Sequence, residues 1–457
     1  MADGGSLLAQ QVAQAGRELV QRAREGFTAE PVDPPLTLVT ALDLGAGRHV
    51  AVVADGAGRR WTVPVVVTAA RARRATAGDG VAQALVELLA RPQGPAPDGF
   101  RLVRWYGAAA SGERAVTADQ TNESVVVGER AVVKWALRQP AAGDDVRHPA
   151  PERLGALVAG GFTGTARPWG VLTADVPGGT EPLLLATVTE YLPGARDGWD
   201  WAVADLRAHA RGDLDEAAAL IPVAVLGDLV AGLHAALATA GRGALTGPEA
   251  QQWHARARAD LAEAVARVDG PEGERLTARA PRIAAGLAPL AHAAGSPTID
   301  VHGDLHVGQV LRRPGADGPA YAVVDFDGNP VVAAAERARR LPAAVDVAGM
   351  LASLDHVGRV VLRRTEGVDA AVVTRWTARA ERVFLDRYRA GLARHGLSDL
   401  LDERLLRPVR LQQECREFHY AVQHLPHWRY VPDGALGALL DAPDGPDAPD
   451  EPGAHRS

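Results

Sequence analysis

The segment VHGDLHVGQVLRR, residues 301–313, constrains the fold most, because it places acidic and imidazole side chains directly after a short apolar run. His302 and His306 stand four residues apart with Asp304 between them. Three interpretations compete: a metal site, an ordinary polar turn, and a catalytic loop. A zinc site with this spacing needs both histidines on one helix face and a third ligand nearby, and Gly303 argues against a helix. A lone His-Gly-Asp would be a turn.

Two further polar groups favour the catalytic loop. Gln309 follows Asp304 by five residues, and Asp325 opens DFDGNP after the next β-rich run. Protein kinases use one aspartate as base, with an amide five residues later and the aspartate of a later Asp-Phe-Gly as metal ligands. The base orients the attacking hydroxyl and accepts its proton, while hard oxygen ligands hold Mg²⁺ against the phosphates. The pattern predicts Asp304 as base and Gln309 and Asp325 as Mg²⁺ ligands.

A phosphoryl-transfer site also needs a lysine at the end of a hairpin strand and an acid on the following helix. Lys134 ends the run RAVVK, and Glu152 lies in HPAPERLGALVAGGF, where prolines lead into a helical pattern. Taken singly, Lys134 is typical of a solvated strand end, and Glu152 of an acid favoured by the helix dipole. Found in this order before the catalytic segment, they are interpreted as the lysine on the nucleotide phosphates and its ion-pair partner.

The remaining nucleotide contacts have weaker signals. The stretch TNESVVVG contains no GxGxxG pattern, so phosphate contacts there would come from backbone amides and from Ser124. The turn TEYLPG after a strand is interpreted as the hinge whose backbone meets adenine, with Glu190 and Leu192 as contacts. That placement depends only on the order of the segments.

The chain changes character along its length. Short β-rich runs separated by glycine turns dominate up to about residue 195, and helical periodicity dominates from about residue 200. The segments PTIDV and YAVVDFD flank the catalytic segment and are predicted to pair as a hairpin. The tail from residue 441 is acidic and rich in proline, so disorder is expected there. These features predict an α+β fold with two lobes.

Composition excludes several classes of function. Charged residues make up 23% and the net charge is -7, which gives no reason to expect nucleic acid or an anionic membrane as partner. The single cysteine, Cys415, excludes an internal disulfide. We see neither a signal peptide nor an uninterrupted apolar run of about 18 residues. A cytoplasmic protein that acts on small molecules, as a monomer, is expected.

At the catalytic segment the chain resembles the aminoglycoside-phosphotransferase branch of the protein-kinase-like superfamily. Within that branch it is similar to actinobacterial maltokinases and, more closely, to maltokinase-like glucosamine kinases. The likeness is carried by DVHGDLHVGQVLRR, YAVVDFDGNP and DVAGMLASLDH as one continuous pattern. It implies a bilobal protein-kinase-like fold, with a cap at residues 1–92, a nucleotide-binding lobe at 93–195 and a helical lobe at 196–440.

The same resemblance implies ATP and Mg²⁺ as cofactors, Asp304 as base, Gln309 and Asp325 as metal ligands, and Lys134 on the ATP phosphates. His302 is expected to brace the loop through hydrogen bonds, and the role of His306 stays open. Maltokinases usually read Asp-Phe-Glu-Gly-Glu-Pro where this chain has DFDGNP, and their C-terminal helix differs from QQECREFHYAVQHLPHWRYVPD. Glucosamine, phosphorylated at its 6-hydroxyl, is therefore the expected acceptor.

The C-terminal helix supplies the expected sugar contacts. Helical spacing puts Glu414 and Glu417 on one face, Gln413 lies four residues before Glu417, and Trp428 follows shortly. Carboxylates suit a protonated 2-amino group, and an indole gives a sugar ring an apolar face. The alternatives are a solvated acidic face with a core tryptophan and, for the whole protein, a maltokinase forming maltose 1-phosphate, an aminoglycoside phosphotransferase, or a non-catalytic nucleotide binder.

Overall fold

The structure is a computed structural model that describes residues 3–20, 32–69, 71–91, 97–116, 123–144, 146–316 and 318–441. The chain forms two compact units. The first comprises Met1–Arg196 and Leu311–Arg339, and the second comprises Asp197–Val310 and Arg340–Ser457. Of the predicted disordered tail, residues 441–457, Asp441 is instead the last residue of a helix, and residues 442–457 lie outside the described residues. The predicted cap boundary at residue 92 falls within the first unit and stays a prediction.

Mixed helix and sheet confirms the predicted fold class. The strands of the described residues are, in chain order, β1 (Thr37–Gly45), β2 (Arg48–Ala54), β3 (Arg60–Val67), β4 (Ala72–Arg74), β5 (Phe100–Arg104), β6 (Glu113–Ala115), β7 (Glu123–Val127), β8 (Ala131–Trp135), β9 (Arg138–Gln139), β10 (Pro168–Ala174), β11 (Leu183–Glu190), β12 (Gly243–Ala244), β13 (Pro297–Thr298), β14 (Val310–Arg313) and β15 (Ala320–Val323). The helices are α1 (Asp3–Ala15), α2 (Val81–Ala90), α3 (Ala150–Ala159), α4 (Gly198–Ala210), α5 (Glu216–Ala238), α6 (Gly247–Arg267), α7 (Gly270–Gly286), α8 (Ala334–Arg337), α9 (Ala344–Arg364), α10 (Ala370–Arg394), α11 (Leu406–His424) and α12 (Tyr430–Asp441).

Two antiparallel sheets build the first unit. One has the order β1-β2-β3-β4 with β9 on β3, and the other has the order β5-β10-β11-β8-β7-β6. The predicted hairpin ESVVVGERAVVKW is present as β7 and β8. Burial alternates along β8, whereas all three valines of β7 are buried. Both sheets contribute to one apolar core together with α2, through residues such as Val50, Leu85 and Val133.

The second unit is helical. Its most extensive contact between two helices joins α5 to α10. A core of apolar side chains joins α6, α7, α9 and α11. Helix α5 is the one described helix that is long and apolar enough to cross a membrane by length and composition. Within its most apolar window 61% of the residues are buried in the structure, as in the core helix of a soluble protein.

The predicted hairpin around the catalytic segment has a different first strand. PTIDV contributes β13, which pairs with β12, whereas β15 from YAVVDFD pairs with β14 from VLRR. The prediction of a PTIDV–YAVVDFD hairpin was therefore wrong. A short connection of about six residues between β14 and β15 closes a local hairpin, which costs less chain entropy than closing the whole catalytic segment.

Candidate active site

Lys134 lies on β8, between β11 and β7, and its ammonium contacts two aspartates of the DFDGNP segment. The Nζ atom is 2.5 Å from Oδ1 of Asp325 and 2.7 Å from Oδ2 of Asp327. Asp325 has a φ of 67°, a conformation that side-chain-bearing residues adopt rarely and mostly where the surroundings require it. The sequence prediction named Asp325 and missed Asp327, although the repeated aspartate of DFD was a visible signal.

The charges of Lys134, Asp325 and Asp327 stabilise one another. Burial lowers the pKa of Lys134, but the charges of Asp327 and Asp325 outweigh it and hold that pKa well above its usual value. Burial raises the pKa of Asp327, yet Lys134 and His148 lower it to about 2. The first unit therefore places one ammonium between two carboxylates.

This pair of carboxylates fits a hard divalent cation. Among the described residues no group of three His, Cys, Asp or Glu side chains could hold a metal ion. Asp325 and Asp327 are nevertheless oxygen donors two residues apart, which suits Mg²⁺, since this ion keeps several waters and takes phosphate oxygens as ligands. Gln309, the other predicted ligand, belongs to the second unit.

Glu152 has a different partner from the one predicted. It lies in the first turn of α3 and its carboxylate contacts the Arg147 guanidinium. The prediction that Glu152 pairs with Lys134 is therefore corrected: the ammonium is neutralised by Asp325 and Asp327, and Glu152 keeps a side chain that is 45% exposed. Its contact with nucleotide stays a prediction.

The other predicted nucleotide residues lie on neighbouring strands of the same sheet. Ser124 on β7 stands directly opposite Lys134 and is almost fully buried. Glu190 is the last residue of β11, opposite Ala131. Leu192 follows in the turn and is buried. The sheet thus brings Ser124 beside Lys134, while the roles of Glu190 and Leu192 as adenine contacts stay predictions.

In the second unit the loop that carries Asp304 is attached to a buried carboxylate on α9. Asp346 accepts the backbone N–H groups of His302 at 2.7 Å and Gly303 at 2.8 Å. Its other neighbour, His234, lies 3.0 Å away and contacts the Tyr388 hydroxyl through its second ring nitrogen. Burial raises the pKa of Asp346, but these hydrogen bonds lower it below its usual value, so the carboxylate is ionised.

The loop itself is shaped by His302 and Gly303. The ring of His302 is fully buried, and its Nδ1 accepts the backbone N–H of Asp304 at 3.3 Å. Gly303 has a φ of 81°, which only glycine adopts without strain. Asp304 and Gln309 are half-buried. The bracing role expected for His302 agrees with this geometry.

Helix α4 packs its first turn directly against the same loop. A Cβ on Gly198 would overlap the carbonyl oxygen of Val307, and the indole N–H of Trp201 donates to Val310 at 2.9 Å. The ring of Trp199 lies 6.1 Å from that of His306 and 6.0 Å from that of Trp428. The predicted sugar-facing Trp428 is thus connected to the loop that carries Asp304 through one intervening indole.

Helix α11 carries the predicted carboxylates Glu414 and Glu417, and a histidine on α9 contacts one of them. Gln413 donates to Glu417 at 3.0 Å, as the i,i+4 spacing predicts. Glu414 is 1% exposed, and both its oxygens lie 3.0 Å from Nε2 of His356 on α9. The sequence prediction missed this histidine. Contact between Glu414 and a sugar stays a prediction, but its carboxylate has a partner within the protein.

Glu417 lies among other ionisable groups. Burial and the charge of Glu414 raise its pKa, and His356 and Gln413 only partly offset them. Burial also lowers the pKa of His356, but Glu414, Glu417 and Asp355 raise it above 6.5. A cationic group beside Glu417 would offset the effect of Glu414 on it, and the Arg410 guanidinium already interacts with Glu414.

Asp346, like Asp327, had a recognisable signal in the sequence. Asp346 stands alone in the apolar run AVDVAGM, and an acid surrounded by such residues on a helix indicates a buried carboxylate with partners. His356 follows ten residues later on the same helix, but only the packing of α9 on α11 shows which acid it contacts.

We predict a pH-dependent contribution of His356 to stability. Folding raises the pKa of His356 above 6.5, so the stabilisation by the protonated ring is fully present below the unfolded value and lost as the pH rises through the folded value. The melting temperature of the unmodified protein should exceed that of His356→Gln by a few degrees at about pH 6 and by less at about pH 9. The exposed His395→Gln is the control. A difference that grows with pH would contradict the assignment.

Known proteins are similar to this chain over most of its length. No model of a protein family matches the sequence. It is 56% identical over 432 residues to a glucosamine kinase of Streptacidiphilus jiangxiensis, covering 94% of this chain and 97% of that one. It is 43% identical over 402 residues to a glucosamine kinase of Mycolicibacterium smegmatis, covering 88% of this chain and 97% of that one.

Solved structures agree with these sequences. A glucosamine kinase in complex with glucosamine, ADP and inorganic phosphate has a TM-score of 0.82 at 53% identity and covers 94% of this chain and 99% of its own. A second crystal form of glucosamine kinase has a TM-score of 0.86 at the same identity and covers 95% of this chain. The resemblance stated from the motifs is thereby confirmed, and the chain is a kinase that belongs to the glucosamine kinase family.

Proposed function

We propose that this chain is an ATP-dependent glucosamine kinase that transfers the γ-phosphate to the 6-hydroxyl of the sugar with the help of Mg²⁺. The observation that carries the proposal is the 56% identity to a glucosamine kinase over 94% of the chain. Such a match includes more than the catalytic motif, since α11 with its predicted sugar contacts lies within a chain that is similar almost throughout.

The predicted residues have separate roles in the proposed reaction. In the second unit the Asp304 carboxylate orients the acceptor hydroxyl and takes its proton. In the first unit Lys134 binds the nucleotide phosphates, with Ser124 and Glu152 as further contacts. Asp325, Asp327 and Gln309 would hold Mg²⁺. That ion, when bound, neutralises charge on the β- and γ-phosphates.

The acceptor follows from the charges on α11. Glucosamine carries a protonated 2-amino group, which suits a site that holds the side chains of Glu414 and Glu417. A charge-assisted hydrogen bond to Glu417 would favour the amino sugar over glucose, whose 2-hydroxyl is neutral. Trp428, half-exposed beside Trp199, would supply an apolar surface for the ring.

The 6-hydroxyl is proposed because it is the primary alcohol and lies across the ring from the 2-amino group. A sugar held by its ammonium at α11 can therefore extend this hydroxyl towards a base. We further propose that the protein works in the cytoplasm as a monomer on small molecules, with neither nucleic acid nor a membrane as partner.

One coupled assay tests the function. The unmodified protein is given ATP and Mg²⁺ with glucosamine, glucose, maltose or kanamycin, and ADP release is measured. We expect the highest kcat/KM with glucosamine, and a product whose phosphorus and carbon signals in NMR locate the phosphate on C6. A higher kcat/KM with maltose or kanamycin would replace the proposed acceptor, and phosphate on another carbon would replace the proposed position.

The variant Glu417→Gln tests the basis of sugar selection. Loss of a hydrogen bond to a charged group costs about 1.5–3 kcal/mol, so the KM for glucosamine should rise about ten- to a hundred-fold. The KM for ATP should stay within about three-fold and the preference over glucose should narrow. The matched control is Glu216→Gln. It changes a carboxylate on α5 that is paired with Arg379 of α10. Equal losses with glucosamine and glucose would contradict the assignment.

A further inference from the structure

Helix α3 is connected to the segment at residues 325–328, which carries Asp325 and Asp327, by an arginine that the sequence analysis did not single out. Arg153 is 1% exposed and is among the largest fully buried side chains of the described residues. One of its terminal nitrogens, Nη1, donates to the carbonyl of Phe326 at 2.9 Å, and the other, Nη2, donates to the carbonyl of Arg337 at 2.9 Å. The guanidinium thus joins both ends of the stretch from residue 326 to residue 337.

The position of these hydrogen bonds is specific. Phe326 lies between Asp325 and Asp327, the two carboxylates that contact Lys134. Its carbonyl belongs to the peptide that joins Phe326 to Asp327, so the hydrogen bond holds the backbone between the two aspartates. A Cβ on Gly328 would lie 3.1 Å from Nη1 of Arg153, so the turn after the aspartates also packs against the guanidinium.

Glu152, the residue before Arg153 on α3, does not hold the 325–328 segment. Glu152 is one residue earlier on α3, but its carboxylate contacts Arg147 and remains 45% exposed. Arg153 faces the interior and reaches the backbone of the segment. A buried guanidinium is costly unless its donors are satisfied, so a site that retains one in this place uses its two-pronged shape, which lysine cannot reproduce.

We propose that Arg153 is a positioning residue for metal–nucleotide binding: it holds the 325–328 segment so that Asp325 and Asp327 can bind a divalent cation together. The inference rests on the proposed function only for the identity of that cation as the partner of ATP. Arg153 touches neither substrate nor metal in this proposal, and acts through the backbone of Phe326.

The chain offers a matched control for the purely structural effect of losing a buried arginine. Arg60 is 6% exposed in the first unit, and it likewise donates to two backbone carbonyls, those of Pro140 at 2.8 Å and Ala141 at 2.7 Å. These carbonyls follow β9, away from the DFDGNP segment in sequence. Arg60→Met should therefore reproduce the loss of two hydrogen bonds without changing the metal response.

The experiment measures binding of ADP to the full chain by calorimetry, once with Mg²⁺ and once with a chelator. Binding of Mn²⁺ with ADP present is measured in parallel by electron paramagnetic resonance. In Arg153→Met we expect the tightening of ADP by Mg²⁺ to fall at least ten-fold, Mn²⁺ to bind about ten-fold more weakly, and chelator-treated ADP binding to stay within about three-fold. Arg153→Lys, which keeps the charge but can reach only one carbonyl, should be intermediate.

Arg60→Met should lower the melting temperature while leaving the Mg²⁺ effect as in the unmodified protein. The proposal is overturned if Arg153→Met retains the full Mg²⁺ effect, or if both arginine variants lose it equally. If Arg153→Met does not fold, Arg153→Lys decides by the same comparison. A protein that binds ADP with the predicted Mg²⁺ response but does not phosphorylate glucosamine would refute the proposed acceptor and leave the role of Arg153 intact.

Discussion

The hydrogen bonds between Asp346 and the backbone of residues 302 and 303 are the interaction on which the proposed chemistry depends. A carboxylate with no exposed surface loses its hydration, a cost of several kcal/mol. Two backbone N–H groups and His234 offset it, and hydrogen bonds to a charged group contribute about 1.5–3 kcal/mol each. Because those N–H groups belong to the residues just before Asp304, the same bonds that stabilise the carboxylate fix the position of the base.

Other contacts in the second unit also hold the loop that carries Asp304. Gly198 allows α4 to approach the carbonyl of Val307, and the N–H of Val307 donates to the Ser353 hydroxyl on α9. The loop thus receives support from two helices as well as from Asp346. Supports of this kind keep a catalytic group in one geometry before substrate arrives, which is where much of the rate of phosphoryl transfer originates.

In the first unit the equivalent constraint is electrostatic. Lys134 bridges Asp325 and Asp327, and the backbone between the two aspartates is held by Arg153. In the proposed reaction the ammonium turns to the phosphates while the carboxylates turn to the metal, so the three charges exchange one set of partners for another. A segment with a fixed backbone makes that exchange with little further loss of conformational entropy.

Sequence reasoning reached the parts of the fold that depend on local pattern. The β7–β8 hairpin follows from two β-branched runs joined by a short turn, and the Gln413–Glu417 contact follows from helical spacing. It failed where the partner is distant along the chain. PTIDV pairs with a two-residue strand near residue 243, which has no strand signal of its own. Long-range pairs such as His356 with Glu414 depend on helix packing, which spacing along one helix does not reveal.

The ion pair predicted for Lys134 shows why order along the chain is a weaker guide than geometry. Glu152 occupies the expected place in the sequence, yet Arg147 is nearer to it, and the aspartates 191 and 193 residues after Lys134 are the ones that reach the ammonium. Adjacent residues on α3 point in different directions, and it is Arg153 that faces the interior. A single-residue offset on a helix changes the direction of a side chain by about 100°.

The central claim is that Asp304 acts as the base of phosphoryl transfer from a loop whose position is fixed independently of its own carboxylate. Single-turnover transfer from ATP to glucosamine by Asp304→Asn, measured beside ADP binding with Mg²⁺, tests it most directly. We expect transfer slower by about 10²- to 10⁴-fold, with the dissociation constant for ADP within about three-fold of the unmodified value. Transfer within ten-fold of the unmodified rate would contradict it.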